Sequence, residues 1–216
     1  RAPLPPAAPS PATRTNSKST TSDKEDAGKL YEKGQFTEAA RLFRMAADRG
    51  DADAQFNIAL MLKRGEGVPQ NYAEALRYFH RAAKQGLDKA QNSLGLIYRD
   101  GLPGEISPDL KIAKVFFKQA ADQGHQLGKS NLAKVEAVLY QDEAHEQHAK
   151  GNFPEAARLF RMAADRGEAD SQFSIALMLK RGEGVTQNYA EALRYYRLAA
   201  TQGLDKAQNS LGLVYR

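Results

Sequence analysis

The chain has 216 residues, 42% hydrophobic and 26% charged, the balance of a soluble globular protein long enough to bury a core. It contains no Cys and no Trp, which excludes disulfides, thiolate catalysis and Cys-ligated zinc. The net charge is +5, but Arg1, Arg14 and Lys18 place +3 of it in residues 1–22, so a nucleic-acid reader with a basic folded surface is not the expectation.

Residues 1–22, RAPLPPAAPSPATRTNSKSTTS, hold five of the nine prolines and show no apolar periodicity. Such a segment buries too little surface to offset its ordering entropy, and a disordered Pro/Ser/Thr-rich tail is expected there. The sequence opens on Arg1 without an apolar leader, so no signal peptide is read and a cytoplasmic location is the working expectation. No apolar run approaches the about 20 residues of a membrane-spanning helix, so direct membrane insertion of this segment is not expected.

From residue 23 onward, the chain repeats itself. AADRG, AAKQG, AADQG, AADRG and AATQG end at Gly50, Gly86, Gly124, Gly167 and Gly203, at intervals of 36, 38, 43 and 36 residues. A larger duplication is superimposed. Tyr31–Arg99 and His148–Arg216 align at an offset of 117, and only 13 of the 69 paired positions differ. The expected organisation is an array of about 23–50, 51–86, 87–124, 125–167, 168–203 and a partial unit 204–216.

Each unit reads as two helices. In 51–86 the spacing predicts a first helix over about 52–64, with Ala54, Ile58, Ala59 and Leu62 on one face. Gly65 suits its C-cap, where positive φ is needed, and Gly67 the tight turn that follows. Asn71 is placed to cap a second helix over about 72–85, and Gly86 ends it. Small and aromatic residues recur in register in the second helices: Ala39, Ala75, Ala113, Ala156 and Ala192 at one site, and Phe43, Phe79, Phe117, Phe160 and Tyr196 at another. Small residues let helix axes approach and the aromatic rings fill the space beside them, so these positions are core. One hairpin has two apolar faces and covers only one; the next hairpin covers the other. The unit 125–167 is seven residues longer than the standard 36, about two helical turns, and one long helix over about 126–149 is expected. GLPGEIS at 101–107 is a longer turn where its neighbours have GEGV.

The pattern A-x3-L-G-x2-Y, then G-x-G-V, then A-x2-Y/F-x3-A-A-x2-G resembles the Sel-one-like repeat, a relative of the tetratricopeptide repeats. Here it is carried by Ala90, Leu94, Gly95 and Tyr98, by Gly65, Glu66, Gly67 and Val68, and by Ala75, Tyr78, Ala82, Ala83 and Gly86. The resemblance covers about 23–216 and implies an all-α, right-handed α-α superhelix of stacked helical hairpins. It also implies the work of an adaptor that assembles protein complexes. The turns at Lys33–Phe36 and Lys150–Phe153 depart from it and look closer to plain tetratricopeptide turns. Since Arg216 falls midway through a hairpin, further repeats of the same chain are expected beyond it.

No catalytic set emerges. His145 and His148, in DEAHEQH, share a helix face at i, i+3 and could be imagined on a metal, but a solvated helix is the plainer reading. Gly65-Glu66-Gly67 follows a helix and lacks the Lys-Ser/Thr of a phosphate loop. No cofactor, metal or catalytic residue is therefore assigned. What remains is a surface. In related solenoids the first helices line the concave side, which selects Phe56, Leu60, Lys63, Arg64, Asn92, Leu96, Arg99, Phe173, Leu177, Lys180, Arg181, Asn209 and Leu213. Apolar residues edged by Lys, Arg and Asn suit an extended peptide or a partner helix. The expected function is a non-enzymatic scaffold whose partners are other proteins. A single-stranded RNA reader is the alternative, although charges of both signs mix along each helix, and a hydrolase-like activity of some bacterial relatives is the weaker one.

Overall fold

A computed structural model describes residues 20–214, with side chains over 22–212. Residues 1–19 of the expected tail lie outside the described residues. Residues 20–22 do not follow the expectation, because they form the first turn of a helix.

Eleven helices make up the described residues: α1 (Thr20–Glu32), α2 (Phe36–Asp48), α3 (Ala52–Arg64), α4 (Tyr72–Lys84), α5 (Asp88–Asp100), α6 (Leu110–Asp122), α7 (Gln126–Ala149), α8 (Phe153–Ala164), α9 (Ala169–Arg181), α10 (Tyr189–Thr201) and α11 (Asp205–Val214). They pair as antiparallel hairpins and stack into a right-handed all-α solenoid, each helix packing on its neighbours in sequence. The extra residues of the fourth unit do lengthen one helix, α7, to 24 residues. No helix among the described residues is long and apolar enough to cross a membrane.

Local chemistry sets the boundaries. The carboxylate of Asp51 accepts the backbone N–H of Ala54 at 2.8 Å and starts α3, and the side chain of Asn71 accepts the N–H of Glu74 at 2.9 Å and starts α4. Gly65 closes α3 in the left-handed conformation at φ 73°. Gly67 has a second, spatial reason to be glycine. A Cβ there would lie under 3.0 Å from the carbonyl of Phe36 and the amide of Thr37, at the start of the preceding hairpin's second helix. Gly184 stands in the same relation to Phe153 and Pro154.

The alanine and aromatic sites are buried as the repeat pattern requires, including Phe43, Phe79, Phe117, Phe160 and Tyr196. At Gly95 the ring of Phe117 occupies the space where a Cβ would stand. The core has two large parts, one from α1 to α5 and one from the C-terminal half of α7 to α10. A narrower seam of Ala113, Phe117 and Val135 joins them through α6 and α7.

Polar groups bind hairpin to hairpin. Gln55, Gln91 and Gln172 are buried near the starts of first helices and donate back to the carbonyls of Ala47, Ala83 and Ala164. Their own side-chain oxygens accept from Gln85, Gln123 and Gln202 at 2.7–2.9 Å. Each relay adds a side-chain donor to a helix C-terminal carbonyl that also accepts the N–H of the turn glycine. Tyr78 donates to Asp48 at 2.8 Å, and burial together with that carboxylate pushes its phenol up to about 12.

The second copy of the duplication pays a polar penalty the first lacks. Ala54 becomes Ser171 and Phe79 becomes Tyr196, and among the described residues these two hydroxyls are the buried side-chain oxygens without a partner. An unsatisfied buried hydroxyl costs about 1–3 kcal/mol. Ser171→Ala and Tyr196→Phe are each expected to raise stability by about 1 kcal/mol or more, read as a higher urea midpoint at unchanged slope.

Candidate functional site

The thirteen residues selected from sequence separate into several settings. Leu60 and Arg64 come together at one cavity of about 250 Å³ between α1 and α3, whose walls include Gly28, Tyr31, Phe43, Asn57 and Met61. Leu177 and Arg181 come together at a second cavity of about 200 Å³ between α7 and α9, with His145, His148, Phe160, Ser174, Met178 and Glu183. At the offset of 117 these are the same positions, so the duplication has produced two equivalent pockets on the first-helix face.

The pocket walls follow one plan. In the first, Tyr31 packs edge-on against Phe36 with ring centres 5.1 Å apart, and its hydroxyl donates to Glu66 at 2.7 Å. That hydrogen bond to a carboxylate pushes the Tyr31 phenol up. In the second, His148 packs edge-on against Phe153, also at 5.1 Å, with its Nε2 3.5 Å from Glu183. The glutamate of each GEGV turn therefore anchors the aromatic residue at the end of the facing helix. Glycine at position 28 leaves open space, while His145 fills the corresponding place and stacks edge-on against Phe160 at 5.0 Å.

The other selected residues lie elsewhere. Phe56 packs edge-on against Phe79 with Lys89 over its ring at 5.1 Å, and Phe173 repeats this with Tyr196 and Lys206. Both rings are thus part core and part surface. Lys63 is half-buried, and Lys180 borders a separate apolar cavity with Tyr189 and Leu193. Leu96 joins the seam near α7. Arg99 forms a two-point pair with Asp100 at 2.6 and 2.7 Å. Asn92 is a correction: it is only 7% exposed and its Oδ1 accepts from Asn131 at 2.9 Å, because α7 lies against α5 and closes this position. Its counterpart Asn209 is exposed. The Leu213 side chain lies outside the described residues.

His145 and His148 are both exposed, as the solvated-helix reading requires. Both rings lie against aromatic side chains at a pocket wall. Among the described residues no group of three or more His, Cys, Asp or Glu could hold a metal ion. Sequence reasoning missed Gly28, Tyr31, Phe43, Asn57, Met61, Glu66 and Glu183 as wall residues. A signal was present, since the otherwise conservative duplication changes Tyr31 to His148 and Asn57 to Ser174.

Stacked two-helix units with pockets on one helix row define a helical-repeat solenoid. The chain belongs to the Sel1 repeat family, whose model matches residues 26–51, 52–87, 88–125, 137–168 and 169–204. It is 33% identical over 156 residues to DAP3-binding cell death enhancer 1 of Rattus norvegicus, covering 72% of this chain and 29% of that protein. It is 31% identical over 150 residues to chitin synthase regulatory factor 2 of Schizosaccharomyces pombe, covering 68% of this chain and 28% of that one. The chain thus spans under a third of the length of these curated relatives, whose names are those of a binder and a regulator. Among solved structures it is similar to c5321, a protective antigen of uropathogenic Escherichia coli with an SLR fold. The TM-score is 0.51 and the identity 26%, over 93% of this chain and 50% of that one. A Sel1 repeat protein from Oxalobacter formigenes shares the fold at a TM-score of 0.51 and 24% identity, over 94% of this chain and 79% of that one.

Proposed function

We propose that this chain is a non-enzymatic scaffold that takes protein ligands on the face made by its first helices. The observation that carries this reading is the pair of equivalent pockets, Leu60–Arg64 and Leu177–Arg181. Each is smaller than the roughly 300–1,000 Å³ of a small-molecule site, which suits a single side chain of a longer ligand better than a free metabolite. Leu60 and Leu177 supply apolar contact and the arginines supply directed donors, the combination that anchors peptide and helix ligands. On the second-helix row Arg44 pairs with Glu74 at 2.9 Å and Arg161 with Glu191 at 3.0 Å, so part of the positive charge there is already neutralised, which favours protein over RNA as the ligand. The binder and regulator names of the relatives point the same way.

Photo-crosslinking tests the reading. With benzoylphenylalanine replacing Leu60 or Leu177, discrete protein adducts are expected in extract of the source cells. They should be lost when Lys63, Arg64, Lys180 and Arg181 are all changed to Glu. Equal labelling from the exposed second-helix positions Arg77 and Arg194 would overturn it.

A further inference from the structure

The two pockets share a frame but differ in charged and titratable side chains, and those residue changes lie on the facing helix, while α3 and α9 differ at Asn57 and Ser174. Phe43, Leu60, Met61, Arg64 and Glu66 recur as Phe160, Leu177, Met178, Arg181 and Glu183. The facing helix does not recur. Gly28 becomes His145, Tyr31 becomes His148, and Glu32 at the first pocket's rim becomes Ala149. One acid is removed and two imidazoles are added. The arginines differ in the same sense. Arg64 pairs with Glu66 at 3.5 Å, whereas among the described residues Arg181 is in no ion pair.

We infer that the second pocket is an oxyanion socket, built from His145, His148 and Arg181, which holds an anionic side chain of the protein ligand, a carboxylate or phosphoryl group. The first pocket holds an uncharged apolar side chain of the same ligand. The inference rests on the scaffold reading and makes it directional: the ligand has two unlike anchors, so it lies along the array in one polarity.

The chemistry is direct. An imidazolium donates two N–H bonds and carries charge, and a guanidinium offers a planar fork that matches an oxyanion. Phe153 backs the His148 ring and Phe160 the His145 ring, and both imidazoles keep an exposed face from which to donate to a ligand. The groups facing them are Glu183 from the turn after α9 and Arg181 from α9 itself, with Ser174 between. Glu183 lies 3.5 Å from the Nε2 of His148. The first pocket is less suited to the same role: it has no imidazole, Tyr31 donates its hydroxyl to Glu66, and Glu32 adds a second carboxylate where the second pocket has Glu183 alone.

The test uses inorganic sulfate, whose charge does not change over the working range, with acetate as a second arm and chloride at matched ionic strength as the reference. Ring C–H signals of the four histidines are followed by NMR. Sulfate or acetate should move His145 and His148 and leave His80 and His125 at the chloride positions, more strongly at acidic than at alkaline pH, because only imidazolium attracts the anion. Arg181→Met should weaken the apparent affinity by about tenfold. His145→Gly should weaken the anion-induced shift of His148, and His148→Tyr that of His145, each substitution copying the first pocket's own residue. The reverse triple, Gly28→His, Tyr31→His and Glu32→Ala, should create a response in the first pocket, where open space above Gly28 admits the new ring. Equal shifts of all four histidines, or an unchanged response in Arg181→Met, would overturn the socket. A chain that crosslinks from Leu60 and Leu177 yet ignores both anions loses only the socket. One that takes sulfate while labelling equally from the second-helix face loses the scaffold reading.

Discussion

Gly67→Ala is expected to destabilise the array by about 3 kcal/mol or more, from two costs that add. The φ of 69° is left-handed, which costs an L side chain about 1–2 kcal/mol. The new methyl would also meet backbone at Phe36 and Thr37, which moves only if α2 shifts against its neighbours. Gly65→Ala separates the two. Its φ is 73°, but the nearest atom to an added Cβ is 3.4 Å away, so only the conformational cost of about 1 kcal/mol applies. Urea unfolding followed by circular dichroism measures both. Equal losses at the two positions would show that the close approach to Phe36 contributes nothing. Gly184→Ala repeats the experiment in the second copy, against Phe153 and Pro154.

Phe117→Ala is expected to cost about 3–5 kcal/mol, the range for emptying a large aromatic site in a packed core. The residue is 0% exposed and is the largest member of the seam between the two main parts of the core. In a solenoid, stability is close to a sum of unit terms and nearest-neighbour interface terms, so a loss confined to one interface uncouples what lies on either side. The predicted result is therefore a change of shape as well as midpoint: the unfolding curve divides into two transitions, one for α1–α5 and one for α8–α10. Phe79→Ala, inside the larger N-terminal part, should lower stability without dividing the transition. A single cooperative curve for Phe117→Ala would show that the long α7 couples the halves without the aromatic seam.

Much of this protein was legible in its sequence. The spacing of Gly50, Gly86, Gly124, Gly167 and Gly203 set the repeat, and the recurring alanines and aromatics marked the core. The apolar spacing of 52–64, the cap at Asn71 and the terminator at Gly65 placed α3 and α4 within a residue. These features depend on contacts within a hairpin or between adjacent ones, at sequence distances that periodicity reports. The start of α1 at Thr20 was not legible, because neither Ser nor Thr runs nor the preceding prolines carry an apolar stripe.

Other features depended on approach between elements whose separation in sequence says nothing about distance in space. Gly67 read as a turn residue until the Phe36 backbone was found against it. Asn92 read as an open groove residue until α7 closed over it through Asn131. That the exposed rings of His145 and His148 rest on Phe160 and Phe153, with Glu183 beside His148, was visible only in the structure. By itself the sequence determined the unit, its helices and the rows of small residues that let it stack, because local propensity and burial pattern act within about 40 residues. Only the tertiary structure decided which side chains face a common cavity. The stack brings the end of one first helix against the C-terminal half of the next, so both copies form one pocket frame, and the residues at 28/145, 31/148 and 32/149 are what make the two frames differ.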